Sequence, residues 1–332
     1  MVEKHDNIPD LNSKCVICNR NANLRFYEKH DIFFVYECPL CSGQFVLPMK
    51  AADYDLLYKK KGADCLTYEK HTYFLPDKYL SIYKSLAYVK CVLGLIKKYQ
   101  LKGKLLDIGC SQGAFSKLIT ELGFEVFAVD QSEEAIQYAR KNYDIKNAFN
   151  CSFEEIPEDW GNFDVIVSME VIEHLEDPRS LIKKSYDLLK PGGYFILTTP
   201  NNKSFDVRFN KRSPGDYPPH HLSRYCIETV HFLLDDRGFL NMEIFSNPVD
   251  RLVFGNVFFQ DLMHQLSLDN KKGMPVCNFP HQKKRIRLSS YLVKHQLLLR
   301  IFQIAGDTVS FIIGIFYPNS GSNIIAIAQK PF

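Results

Sequence analysis

Four short apolar runs along the middle of the chain constrain its fold more than any other feature. They are LKGKLLDIGC, FEVFAVD, FDVIVSME and YFILTTPN, each bounded by Gly, Asp or Asn, with amphipathic stretches of helical length between them. A strand followed by a helix and then by another strand of one sheet returns by a right-handed crossover, so this alternation predicts a parallel sheet with helices on both faces. The helix boundaries carry their own signals. Asp177-Pro178 offers an N-cap and a first-turn proline for a helix expected to end at Lys190-Pro191-Gly192-Gly193. Gly123 and Gly238 stand where C-terminal caps belong, after AFSKLITEL and ETVHFLLDDR.

The cysteines are unevenly placed. Of ten, Cys15, Cys18, Cys38 and Cys41 form C-x2-C-x19-C-x2-C, and Cys65, Cys91, Cys110, Cys151, Cys226 and Cys277 stand singly. The paired spacing lies within the range of treble-clef or ribbon-type zinc sites, and FYEKHDIFFVYE between the pairs has the aromatic and β-branched content of a hairpin. A unit this small has too little core to fold alone, and a tetrahedral zinc–thiolate site would supply the missing free energy. An iron–sulfur cluster is less favoured, because the ligands pair symmetrically and no proline follows a ferredoxin-type ligand run. A zinc-ribbon-like module is therefore expected over residues 1–48, followed by a helical connector over 49–100 containing YLSIYKSLAYVKCVLGLIKKY. Within it, Tyr68, His71, Tyr73 and Phe74 could close over a site as a lid, but simple packing between the two units is the expectation.

Charge narrows the function classes. With 332 residues, 24% charged and a net charge of +3, the chain is globular in composition and has no global field for holding nucleic acid. The N-terminal MVEKHDNIPD has no apolar run behind its charges, so a cytoplasmic location is expected. The average conceals one basic stretch. From Asn270 to Gly306 there are eight Lys/Arg and no Asp/Glu, and VSFIIGIFYP follows, too short to span a bilayer. Residues 251–319 are read as a basic amphipathic helical insertion before a last strand, NIIAIAQK, so the sheet domain comprises 101–250 and 320–332. The 270–317 segment is either an interfacial helix, which would place the protein at the inner face of a membrane, or packing helices with a solvated positive face.

The first run of the sheet ends in LLDIGCSQGAFS, a glycine-containing turn that leads straight into a helix and lets backbone approach a ligand. Its glycine order is that of neither a P-loop nor a clean G-x-G-x-x-G dinucleotide site. The second run ends in Asp130, about twenty residues on, where a carboxylate can accept both hydroxyls of a ribose. Together they mark an adenosine-type ligand. Over residues 100–245 the blocks LLDIGCSQG, FAVDQSEEAIQYAR, NCSFEEIP, FDVIVSMEVIEHLEDP, LLKPGGYFILTTPN and PPHHLSRYCIETVHFLLDDRGF occur in the order and spacing of class I S-adenosylmethionine-dependent methyltransferases, which the chain resembles. The resemblance implies a Rossmann-like α/β sheet of seven strands, the last antiparallel. It implies that Asp107, Gly109 and Gly113 shape a methionine pocket, that Asp130 holds the ribose, and that Ser152 and Phe153 flank the adenine. Cys110, Gln131 and Met169 are further cofactor residues on the same footing. Ser111 departs from the family, where glycine is frequent.

Methyl transfer from a sulfonium is an in-line displacement, so positioning is much of the protein's task. Acceptor chemistry is expected at the C-terminal edge of the sheet, from Glu170, Glu173 and His174 after the third run and from His220 and His221 in PPHH. If residues 170–174 are helical, the two carboxylates and His174 share a face. This ExxEH with a later His is similar to small-RNA 2′-O-methyltransferases and ubiquinone-pathway O-methyltransferases, and that resemblance implies a divalent ion, Mg2+ or Mn2+, at Glu170, Glu173, His174 and His220 or His221. A zinc module ahead of this layout also resembles enzymes of sugar and polysaccharide biosynthesis. The sugar C-methyltransferases among them carry a further C-terminal domain, which shifts the expectation to O-methylation of a nucleotide-linked or lipid-linked saccharide. Two other readings are an RNA methyltransferase gripping its substrate through the ribbon, for which residues 15–41 show no clear basic face, and a scaffold that has lost the reaction.

Overall fold

The computed structural model describes residues 10–51, 76–208, 212, 214–248 and 319–332. The four aromatic residues Tyr68, His71, Tyr73 and Phe74, the cysteines Cys65 and Cys277, and the basic 270–317 segment lie outside the described residues. Two sheets organise the rest. Strands β1 (Leu11–Lys14), β2 (Asn21–His30), β3 (Phe33–Glu37) and β4 (Gln44–Leu47) form an antiparallel N-terminal sheet. Only its outer part alternates, as in Ala22 and Leu24 of β2; β3 and β4 bury side chains on both faces, Tyr36 and Phe45 packing with Leu24 on one and Val35 and Val46 packing with Phe33 and Leu222 on the other.

The main sheet has seven strands: β5 (Lys104–Ile108), β6 (Glu125–Asp130), β7 (Asn147–Asn150), β8 (Phe163–Met169), β9 (Leu189–Pro200), β11 (Leu240–Ser246) and β12 (Asn323–Gln329). Their spatial order is β7-β6-β5-β8-β9-β12-β11. The pairs β5–β6, β6–β7, β5–β8 and β8–β9 are parallel, and β12 runs antiparallel to both β9 and β11. This is the Rossmann-like arrangement with one reversed strand expected from the sequence. The apolar runs lack alternation because both faces are covered: Leu105, Leu106, Val165, Ile166 and Val167 are all buried. The covering helices are α1 (Pro76–Ser85), α2 (Ala87–Lys98), α3 (Ala114–Glu121), α4 (Glu133–Tyr143), α5 (Pro178–Leu188) and α7 (Ile227–Arg237), with a short α6 (Phe205–Arg208) beside β9. Asp177 caps α5 through the Arg179 amide, Ser132 caps α4 through the Ala135 amide, and Gly238 closes α7 in the left-handed conformation. No single helix among the described residues is long and apolar enough to cross a membrane.

One boundary differs from the sequence reading. Helix α5 stops at Leu188, and Lys190-Pro191-Gly192-Gly193 lies inside β9 rather than in a connecting loop. The reason is pairing at the far end of the chain. The Gly192 amide donates to Lys330 O at 3.0 Å and the Lys330 amide donates to Gly193 O at 2.9 Å, while the extra residues of β9 bulge against β8 between the pairs Phe163–Leu189 and Val165–Tyr194. Gly192 has φ +76° and a Cβ there would meet the Phe332 ring at 2.6 Å, so glycine is needed.

The two sheets are joined by a strand drawn from the main domain. β10 (Ser223–Arg224) pairs antiparallel with β4, setting Ser223 opposite Phe45 and Arg224 opposite Gln44. Thr229 Oγ1 donates to Cys41 O at 2.8 Å, and Arg179 reaches Ile17 O at 3.2 Å and Asp236 at 2.7 Å. One apolar cluster runs from Ile17, Leu24 and Phe45 through Tyr225, Val230 and Leu234 to Ile166 and Leu197. Because β12 closes the parallel core against β11, Ile327→Ala, at a fully buried position, is expected to cost about 2–5 kcal/mol, seen as a lower denaturation midpoint with an unchanged slope.

Candidate functional site

A cavity of about 910 Å³ opens at the C-terminal ends of β5, β6 and β8. Its floor is the turn between β5 and α3. Gly109, with φ +75°, passes so close to Val171 that a Cβ would stand 2.3 Å from its Cγ2, and Gly113, with φ +79°, leaves a Cβ only 2.7 Å from that of Ala139. Both glycines are therefore required by backbone conformation and by space together. Ser111, also left-handed at φ 49°, donates its amide to Asp130 Oδ2 at 2.8 Å, and the Ser132 amide donates to Oδ1 at 2.9 Å. Two amides thus aim the Asp130 carboxylate into the cavity, and burial raises its pKa despite both bonds.

Of the residues expected to meet a cofactor, Asp107, Gly109, Cys110, Asp130, Gln131, Phe153 and Met169 line this cavity. Gly113 and Ser152 are not in its wall. Gly113 works from behind, turning the chain into α3, and the Ser152 amide is turned to Glu155 Oε2 at 2.8 Å, leaving Cys151 and Glu154 in the wall beside Phe153. The sequence reading missed Gln112, whose Oε1 is buried in the wall without a hydrogen-bond partner among the described residues. It also missed Tyr79, Tyr83 and Tyr88 of α1 and α2, which close one side of the cavity. Their helical spacing was visible in the sequence, but an aromatic stripe on a connector helix reads as packing until the sheet it covers is known.

At the other side stand Glu170, His174 and Leu175. Residues 170–174 do not form the expected helix. Glu170 is left-handed at φ 57°, and only Ile172–His174 make a 3-10 turn. Glu170 instead accepts from Thr198 Oγ1 and Asn323 Nδ2, each at 2.8 Å, and Glu173 accepts from Thr199 Oγ1 at 3.0 Å. Burial, joined for Glu170 by the charge of its neighbour, raises both carboxyl pKa values. Glu173 Oε1 is buried without a hydrogen-bond partner, 3.8 Å from His174 Nε2. The groups that converge are three imidazoles: His174, His220 and His221 have ring nitrogens within 4.8 Å of one another. Of the set Glu170, Glu173, His174 and His221 expected for a divalent ion, the imidazoles cluster, whereas Glu170 is held by Thr198 and Asn323 and Glu173 by Thr199. His174 Nδ1 lies 2.8 Å from the His220 carbonyl, and the Glu170 backbone is a second partner of the ring. Desolvation holds all three rings below the usual imidazole range, His220 at about 4 and His221 lower still.

The four N-terminal cysteines come together as a second centre. Cys15 Sγ is 3.9 Å from Cys41 Sγ, Cys18 Sγ is 3.8 Å from Cys38 Sγ, and all four sulfurs lie within 4.8 Å of one another. Zinc–sulfur bonds of roughly 2.3 Å in a tetrahedron put sulfurs roughly 3.8 Å apart, so these spacings fit a Zn–S4 site. Each pair sits on a tight knuckle: Asn19 N donates to Cys15 O and Ser42 N to Cys38 O, with Asn19 and Ser42 left-handed. The crowding also splits the thiols, a hydrogen bond from Cys41 lowering the pKa of Cys15 while the same contact and burial raise that of Cys41.

Asp107 is fully buried beneath the loop and accepts from Ser116 Oγ at 2.6 Å, yet desolvation pushes it from 3.8 up to about 7. The fold thus favours the neutral carboxyl. Stability from this group is highest at low pH and declines as pH rises from the unfolded value to about 7. In the ligand-free protein, Asp107→Asn should therefore flatten the fall in stability between about pH 4 and pH 7, measured by denaturant titration across that range.

Residues 84–244 match the family model Methyltransf_23, described as a methyltransferase domain. Over 104 residues the chain is 33% identical to the ubiquinone biosynthesis O-methyltransferase of Acinetobacter baylyi, covering 30% of this chain and 44% of that one. Over 102 residues it is 40% identical to the enzyme of the same name from Caulobacter vibrioides, covering 29% and 40%. The chain thus spans less than half the length of these curated relatives. Among solved structures, a SAM-dependent methyltransferase from Archaeoglobus fulgidus is similar at a TM-score of 0.45 and 20% identity, over 73% of this chain and 94% of that one. The matched residues, 84–244, span the main sheet from β5 into β11 and include most of the residues that line the cavity, and over that stretch the chain is similar to a methyltransferase domain.

Proposed function

We propose that this protein transfers a methyl group from S-adenosylmethionine to a hydroxyl oxygen of a small molecule. The observation that carries the reading is a single cavity with a glycine-shaped loop and the aimed Asp130 carboxylate at one side and His174 at the other. Its residues fit the cofactor. The Asp130 carboxylate suits the ribose diol, and the orphaned Gln112 oxygen suits an ammonium or hydroxyl donor on the methionine side. The cofactor supplies an activated methyl group, and the protein holds it in line with the acceptor. As the acceptor oxygen takes the methyl, its proton passes to the neutral His174 ring, which burial keeps uncharged and the His220 and Glu170 carbonyls hold in place. The relatives' name, ubiquinone biosynthesis O-methyltransferase, agrees with oxygen as the methylated atom. A catalytic magnesium or manganese is not part of the proposal. Those ions prefer oxygen ligands, and the convergent donors here are imidazoles.

Nucleotide-linked and lipid-linked saccharides are the acceptors to try first, with catechols beside them on the strength of the relatives' name. Zinc at Cys15, Cys18, Cys38 and Cys41 belongs to the same proposal, with a structural role. The full chain should bind S-adenosylmethionine calorimetrically and contain one zinc by elemental analysis. Asp130→Ala should weaken cofactor binding by roughly 10- to 100-fold, as loss of a charged acceptor from two hydroxyls would. His174→Gln should lower kcat by about 100-fold or more and leave cofactor affinity within about twofold. No detectable binding of S-adenosylmethionine by the unaltered chain would overturn the reading.

A further inference from the structure

The histidine turn is built from both units of the protein. The amides of His220 and His221 donate to Tyr217 O at 3.1 and 3.3 Å, forming a turn that ends in β10. Leu222 is bound on both sides, its amide donating to Glu173 O at 2.7 Å and its carbonyl accepting from the Val46 amide of the N-terminal sheet at 2.9 Å. Beyond it, the Arg224 guanidinium is almost wholly buried and donates to Glu28 Oε1 of β2 at 2.5 Å, with Gln44 Oε1 of β4 at 3.5 Å. The same Glu28 oxygen lies 3.1 Å from His30 Nε2, and the His30 ring packs on Tyr217 with centroids 4.4 Å apart. Arg224 also lies over the Tyr217 ring at 5.8 Å. One carboxylate of the cysteine-bearing module therefore meets both a residue after the histidines and, through His30, the tyrosine that starts their turn.

A surface contact between two domains would need none of this. Side chains of Arg224 and Glu28 are only 5% and 12% exposed, so the pair was desolvated to reach its present place, at a cost that an exposed pair avoids. Such buried pairs are retained where they fix one arrangement among several. The arrangement fixed here is the approach of His220 and His221 to His174, whose Nδ1 partner is the His220 carbonyl itself.

We propose that Glu28 is a positioning residue for the acceptor side of the site: through Arg224 and the His30–Tyr217 stack it holds the turn that orients His174. The proposal rests on the reading of His174 as the acceptor-side base, and it makes the N-terminal module a part of the catalytic site rather than an appendage. Among the described residues, the hydrogen bonds and ring contacts of Glu28, His30, Tyr217 and Arg224 given above do not involve the glycine loop, so the two halves of the cavity should respond separately.

The test uses the full-length chain, Glu28→Gln, Arg224→Gln and Arg224→Lys, with 15N-labelled histidine. In Glu28→Gln the imidazole resonances of His174, His220 and His221 should shift while that of His231, on α7, stays. Its kcat should fall by on the order of tenfold to a hundredfold, the scale of an ångström-sized displacement of a reacting group, with S-adenosylmethionine affinity within about twofold. Arg224→Gln should repeat this pattern, and Arg224→Lys, which keeps the charge, should recover part of kcat. Unmoved His174, His220 and His221 resonances, or an equal loss of cofactor affinity and kcat, would overturn the proposal. If the unaltered chain binds the cofactor but methylates no hydroxyl acceptor, the reading of the reaction fails, and the histidine shifts still decide whether Glu28 positions them.

Discussion

The structure depends on the reversal of winding at β5. Chain leaves this strand to build β6 and β7 on one side and then returns to build β8 and β9 on the other, so helices diverge from its C-terminal end and a crevice is left between them. Backbone at the end of β5 has open space ahead of it. There the glycine-bearing turn can present amides, and there Asp130, one strand over, can be aimed by two of them. The same crevice receives the tyrosines of α1 and α2 from outside and His174 from beyond β8.

Around that crevice the structure divides labour by chemistry. At the glycine loop, left-handed backbone and close approach do the work, as at Gly109 and Gly113, where side chains are excluded. The side around His174 uses side chains whose surroundings are supplied by distant parts of the chain. Thr198, Thr199 and Asn323 hold the two glutamates, and the antiparallel β12, remote in sequence, is what brings Asn323 to Glu170. The cysteine module enters at this side as well, through β10 and the Glu28–Arg224 pair. The small sheet that carries the four close sulfurs meets the histidine turn at Leu222 and Arg224.

Much of this was legible from residues alone. The four apolar runs, the caps at Asp177 and Gly238, the cysteine knuckles and the pairing of a glycine turn with Asp130 are local signals, each decided within a few residues by sterics or hydrogen bonding. The failures are equally instructive. Lys190-Pro191-Gly192-Gly193 has every local mark of a loop, yet hydrogen bonds to Lys330 make it strand. Glu170-Val171-Ile172-Glu173-His174 has the spacing of a one-faced helix, yet Glu170 takes a left-handed conformation. In both cases a partner far away in sequence outweighed local preference.

The sequence by itself determined the class of fold, the place of the glycine loop and the clustering of the four cysteines, because strand and helix periodicity, glycine conformation and metal-ligand spacing are encoded over short distances. Tertiary structure alone decided which groups face one another around His174. It set three imidazoles together in place of a mixed carboxylate–imidazole set, put Tyr79, Tyr83 and Tyr88 in the cavity wall, and buried Glu28 against Arg224. The physical reason is that hydrogen-bond partners and desolvation depend on what packs from other segments, and no spacing within a segment records that.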